Sequence, residues 1–212
     1  MKTVLCYGDS LTWGYCAEGP SRHAHADRWP SVLQAALGHQ AVVIAEGLNG
    51  RTTAFDDHLG GADRNGARSL PVALVSHAPL DLVILMLGTN DMKPFVCGRA
   101  IGAKQGMRRL IDIVRGTAYP LGAEAPEILI VAPPPLTETA DPDFAAMFEG
   151  GLSESGMLAG LYSDLADDTQ CGFFDAASVV RTTPLDGVHF DAENTRALGR
   201  ALEPIVRMML GL

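Results

Sequence analysis

Two stretches of this chain, Leu82–Leu87 and Ile128–Ala132, are apolar at every position. A strand with one wet face alternates polar and apolar residues, so an unbroken apolar run of strand length implies cover on both faces. Strands of that kind belong to parallel sheets flanked by helices. Shorter runs at Thr3–Tyr7, Ala41–Ala45 and Gly172–Phe174 are further strand candidates. Between them lie segments with helical spacing at Trp29–Leu37, Gly66–Ser76, Arg99–Arg115, Glu154–Asp167 and from Ala192 onward. The alternation predicts a three-layer α/β/α sandwich on a parallel sheet.

The last segment shows the amphipathic pattern most fully. Leu198, Leu202, Ile205, Met209 and Leu212 recur at three- and four-residue steps and predict one apolar stripe. Asp191 stands where a helix cap belongs, and Pro204 is expected to kink or break the helix because it lacks an N–H. Two long connections, Gly47–Asn65 and Pro133–Gly151, carry enough glycine and aromatic residues to be ordered functional loops. With 212 residues and no linker or repeat, the expectation is one domain over 1–212.

Charge and composition narrow the function. A net charge of −9 without a Lys/Arg stripe argues against nucleic acid. No run approaches the roughly 20 apolar residues of a membrane span. Met1-Lys2 leads into Thr3–Tyr7, which is soon interrupted by Gly8-Asp9 and does not read as a signal peptide. Cys6, Cys16, Cys97 and Cys171 are scattered, without metal-type pairing. The expectation is a cytoplasmic protein with reduced thiols, no bound metal, and a buried, inert Cys6.

In an open parallel sheet, ligands bind beyond the carboxyl ends of the strands. Gly8-Asp9-Ser10, Gly47-Leu48-Asn49-Gly50 and Gly88-Thr89-Asn90-Asp91 each follow a predicted strand, and Asp186-Gly187-Val188-His189 precedes the last helix. A serine hydroxyl becomes a useful nucleophile when a neighbouring base takes its proton. His189 is the candidate base, and Asp186, three residues earlier, the candidate partner that orients its ring. Acyl transfer also needs donors for the developing oxyanion. The Ser10 and Gly50 amides and the Asn90 side chain are the candidates. Each has a blander reading beside it: Gly8-Asp9-Ser10 as a capped turn, Asp186 and Asp191 as turn and cap residues, Asn90 and Gly50 as turn formers.

Together these residues resemble the GDSL/SGNH hydrolase superfamily, named for a Ser, Gly, Asn and His carried in four blocks. Gly8-Asp9-Ser10-Leu11 resembles the first, the 47–50 region the second, Gly88-Thr89-Asn90-Asp91 the third and Asp186-x-x-His189 the last. More narrowly, Gly8–Gly14, Glu46–Thr53 and Phe148–Gly151 are similar to the bacterial arylesterase/acyltransferase branch. The resemblance implies a flavodoxin-like fold, an acyl-enzyme on Ser10, no cofactor and a homo-oligomer. It also places the second oxyanion donor at Gly50 rather than Gly47. The substrate would be a small ester, with water or an alcohol as acceptor, and transesterification and perhydrolysis as further outcomes. Leu11, Trp13, Phe144, Met147, Phe148 and Val188 are expected to line a narrow apolar pocket. The alternative is that Phe144 and Phe148, four apart, only bury one face of a helix. Rival readings are a carbohydrate acetylesterase, a thioesterase or lysophospholipase, and a non-catalytic module in which Asp9 and Asp91 gather a cation.

Overall fold

The five strand candidates pair side by side. The computed structural model describes residues 1–19 and 21–212, and its main sheet comprises β1 (Lys2–Gly8), β2 (Ala41–Gly47), β3 (Leu82–Met86), β4 (Glu127–Ala132) and β5 (Gly172–Asp175). Their spatial order is β2-β1-β3-β4-β5, and every neighbouring pair is parallel. This is the flavodoxin-like doubly wound order, in which the direction of winding reverses between β1 and β3. A short antiparallel ribbon, Tyr15–Cys16 with Ser21–Arg22, lies outside this sheet.

The side-chain period of two sorts each strand between two apolar layers. Leu5, Tyr7, Val83, Leu85, Ile128 and Ile130 join one core with α3 (Gly66–His77), α4 (Ala100–Gly116) and α7 (Leu158–Thr169). Val4, Cys6, Leu82, Ile84, Leu129 and Val131 join the other with α2 (Trp29–Leu37) and α8 (Ala192–Leu210). The fold is therefore the expected three-layer α/β/α sandwich. Cys6 is fully buried, and burial pushes its thiol well above the ordinary range.

The structure departs from the sequence reading at three elements. The helix expected over Glu154–Asp167 is two, α6 (Gly151–Ser155) and α7, interrupted at Gly156-Met157. The connection Pro133–Gly151 carries a helix of its own, α5 (Pro142–Met147), capped by the Asp141 carboxylate. Helix α8 runs through Pro204 without breaking. Pro204 lies on the wet side, where water can reach the carbonyl that its missing N–H leaves free. The buried stripe of α8 is Thr195, Leu198, Gly199, Leu202, Val206 and Leu210, while Ile205 and Met209 flank it. Asp191 caps this helix as expected, accepting from the Asn194 amide at 2.7 Å. Among the described residues, no helix is long and apolar enough to cross a membrane.

Candidate active site

The chain leaves β1 at Gly8 and enters α1 (Ser10–Trp13) almost at once. Asp9 makes this turn possible: its Oδ1 accepts the Leu11 amide at 2.9 Å and caps the short helix. Ser10 thus occupies the first helical position, where backbone amides have no intrahelical acceptor. The switch between β1 and β3 puts Ser10 and Asn90, which follows β3, at neighbouring places on one rim.

The loop before α8 brings His189 to Ser10. His189 Nε2 lies 2.9 Å from Ser10 Oγ, and Nδ1 lies 2.6 Å from Asp186 Oδ2. The other Asp186 oxygen accepts the Val188 and His189 amides, both at 2.9 Å. Burial works to raise the Asp186 pKa, but the bond from His189 and these two amides outweigh it and hold the carboxyl below its ordinary value. A carboxylate kept anionic there assigns the Nδ1 proton to the Asp186 side and leaves Nε2 to accept from the serine. All three residues are buried.

The second and third motifs are joined to one another. Arg51 donates through Nη1 to the carbonyls of Gly8 (2.8 Å) and Glu46, and its guanidinium stacks 4.0 Å from the centre of the Tyr7 ring. Its own carbonyl accepts from Asn90 Nδ2 at 3.1 Å. A longer contact, 3.4 Å, runs from the same nitrogen to Asp9 Oδ2. Asp91 accepts the Thr53 amide at 3.1 and 3.2 Å and the Thr53 hydroxyl as well, which ties the 48–65 loop to the end of β3. Asp9 and Asp91 are thus both held by protein donors. Among the described residues, no group of three or more His, Cys, Asp or Glu side chains is placed to hold a metal ion.

Gly47 and Gly50 have different tasks. A Cβ on Gly47 would meet the Trp13 backbone nitrogen at 2.3 Å, so that glycine exists for the close approach of β2 to α1. Gly50 adopts φ +82, a left-handed conformation that favours glycine, and lines the cavity in front of Ser10. Its amide has no backbone acceptor among the described residues.

That cavity, about 200 Å³, is bounded by Ser10, Tyr15, Asn49, Gly50, Arg64, Asn90, Lys93, Phe144, Met147, Phe148, Val188 and His189. Phe144, Met147, Phe148 and Val188 therefore stand where the sequence puts them. Phe144 belongs to α5 and also meets the His189 ring edge-on, 6.0 Å between centres. Leu11 and Trp13 do not line it. One step along α1 from Ser10 turns Leu11 about 100° away, into the core formed with Trp29 and Phe190. Trp13 is covered by the Arg22 guanidinium at 4.5 Å, and its carbonyl accepts from Arg22 Nε. Sequence reading missed Tyr15, Asn49, Arg64 and Lys93. Tyr15 stacks on the His189 ring at 4.2 Å, tilted by 35°. Its only signal is its place directly after Gly14, where the chain turns back from α1. A neighbouring cavity of about 300 Å³ shares Phe144, Phe148 and Val188 but touches neither Ser10 nor His189.

Solved structures share this fold over essentially the whole chain. Among curated protein sequences none matches. Among solved structures, a carbohydrate acetylesterase family member from Sinorhizobium meliloti is 68% identical, covers 100% of both chains and superposes with a TM-score of 0.99. A putative arylesterase from Agrobacterium tumefaciens is 52% identical over 99% of this chain and 100% of its own, with a TM-score of 0.94. The aryl esterase of M. smegmatis is 44% identical over the same shares, again with a TM-score of 0.94. Residues 6–197 match the GDSL-like lipase/acylhydrolase family, and with the Ser10–His189–Asp186 geometry and the doubly wound sheet in place, the chain belongs to that family of ester hydrolases.

Proposed function

We propose that this protein is a serine esterase acting on small carboxylic esters through an acyl-enzyme on Ser10. The observation that carries the reading is the relay from Ser10 Oγ through His189 to Asp186, at 2.9 and 2.6 Å, opening on a cavity of about 200 Å³. His189 Nε2 takes the Ser10 proton as Oγ attacks the ester carbonyl. The oxyanion faces the Ser10 and Gly50 amides and the Asn90 side chain, whose long contact to Asp9 is the one to exchange for it. The imidazolium then gives its proton to the departing alcohol. In the second half-reaction water gives a proton to Nε2 as its oxygen adds to the acyl carbon. The bond from Oγ to that carbon then breaks, and the imidazolium returns the proton to Oγ, which frees the acid and restores Ser10. No step calls for a cofactor.

The cavity is smaller than the roughly 300–1,000 Å³ of sites for drug-sized ligands, which suits short acyl groups. Its aromatic walls, Tyr15, Phe144 and Phe148, suit flat alcohols such as phenols. An alcohol or hydrogen peroxide that competes with water for the acyl-enzyme would yield a new ester or a peracid. A second reading is favoured by the 68% identity to a carbohydrate acetylesterase family member: an acetylated sugar as the substrate of the same machinery. Aryl acetates and acetylated sugars assayed side by side separate the two.

The first test is turnover of p-nitrophenyl acetate with a chelator present. Ser10→Ala and His189→Ala are each expected to lose about 10⁴-fold or more in kcat, and a serine-directed organophosphate should label wild type but not Ser10→Ala. Full activity in either variant would remove the triad assignment.

A further inference from the structure

Lys93 sits at the wall of the active-site cavity and is only 6% exposed. A buried ammonium is normally paired or hydrogen-bonded, because leaving it bare in a low-dielectric site is costly. Among the described residues Lys93 Nζ has neither kind of partner. What surrounds it is aromatic: the Phe148 ring centre lies 5.4 Å away and that of Phe95 6.0 Å away. The nearby carboxylates are engaged elsewhere. Asp57 pairs with Arg64 Nη1 at 2.7 Å, Asp91 holds Thr53, and Asp9 caps α1. Burial accordingly lowers the Lys93 pKa, with Asp57 opposing. Arg64 lines the same cavity, and no carboxylate does. Two cationic side chains, Arg64 held by Asp57 and Lys93 with its ammonium free, therefore face the space in which the ester must lie.

Resting on the esterase reading, we propose that Lys93 is a specificity-determining residue that binds an anionic group on the substrate, so that the preferred esters carry a carboxylate on their acyl or alcohol part. A carboxylate would supply the acceptor that Lys93 lacks and would be held by a charge-assisted hydrogen bond away from bulk water. Arg64, fixed by Asp57, adds positive potential at the same wall. A neutral ester of equal size would leave the ammonium unpaired.

Two matched pairs test this and separate the two locations of the charge. On the alcohol side, para-acetoxybenzoate is compared with para-acetoxybenzamide; on the acyl side, p-nitrophenyl hemisuccinate with p-nitrophenyl butyrate. Wild type is expected to favour the anionic member of at least one pair by about tenfold or more in kcat/KM, the usual strength of a hydrogen bond to a charged group, expressed mainly in KM. Lys93→Met should collapse that ratio toward unity or below, and Lys93→Arg should keep a preference. Because each ratio is taken within one variant, a general loss of activity does not obscure it. A wild type that prefers the neutral ester in both pairs would overturn the proposal, even if the Lys93 variants failed to fold. An anionic preference undiminished in Lys93→Met would do the same. Absence of turnover on all four esters, together with no labelling of Ser10, would instead remove the esterase reading and this inference with it.

Discussion

Asp9 stands directly beside Ser10 but serves a different end. Its side chain is wholly buried, one oxygen caps α1, and burial pushes its pKa up to about 7, with Asp91 adding to the shift and the Leu11 amide, Arg51 and Lys93 opposing. The folded-state pKa therefore lies above the ordinary value of 3.8. Between those two values the folded chain keeps a proton that the unfolded chain has lost, so stability falls as pH rises through that window and levels off above it. Asparagine can cap the helix equally well and does not titrate. Asp9→Asn should therefore lose less stability than wild type between about pH 4 and 7, the difference growing by up to about 1.4 kcal/mol per pH unit. Denaturant melts of both proteins across that range measure it. Parallel curves would mean that Asp9 is ionised throughout. The Asp residue of the first motif was legible as a cap from its position, but its perturbation was not, because burial is a tertiary quantity.

At the scale of elements, Pro204 is the residue that local rules judged most severely. Proline in a helix interior removes one hydrogen bond and costs about 3 kcal/mol relative to alanine. Yet α8 spans Ala192–Leu210 unbroken, because Leu198, Leu202, Val206 and Leu210 on either side of the proline are anchored in the core shared with α2. Burying each such side chain contributes about 1.5–3 kcal/mol, which together outweighs one lost bond. Pro204 is exposed and contributes nothing to that core. Pro204→Ala should consequently stabilise the protein by about 1–3 kcal/mol, visible as a higher Tm with unchanged esterase kinetics. A lower Tm would show that the proline bend is itself needed for the packing of α8. Helix α5 is the opposite case. Six residues are too few to show a period, so Pro142–Met147 read as loop; only the four-residue step from Phe144 to Phe148 hinted at it.

For the molecule as a whole, the two apolar layers share a single sheet, so neither can dissolve without exposing the other face. Leu85 points into the layer under α3 and α4, and Ile84, its neighbour in β3, into the layer under α2 and α8. Leu85→Ala and Ile84→Ala should each cost about 2–5 kcal/mol, and each should shift one common transition seen alike by far-ultraviolet and aromatic signals. Two separable transitions, each moved by one variant only, would show that the layers unfold independently. The same sheet places the chemistry. Ser10 and Asn90 meet because β1 and β3 are adjacent where the winding reverses, although the two residues are far apart in the chain.

By itself, the sequence determined the layer architecture, the strands to within a residue or two, and the Ser10, His189 and Asp186 set. Those features are encoded locally, in the period of two, in unbroken apolar runs and in short motifs whose spacing carries the chemistry. Only the tertiary structure decided which side chains face the cavity. Leu11 and Trp13 neighbour Ser10 in sequence yet turn into the core and under Arg22, whereas Tyr15 folds back onto His189 and Lys93 arrives from beyond β3. The reason is geometric: in a four-residue helix the direction of each side chain depends on how the helix docks, and no period in so short a segment records that.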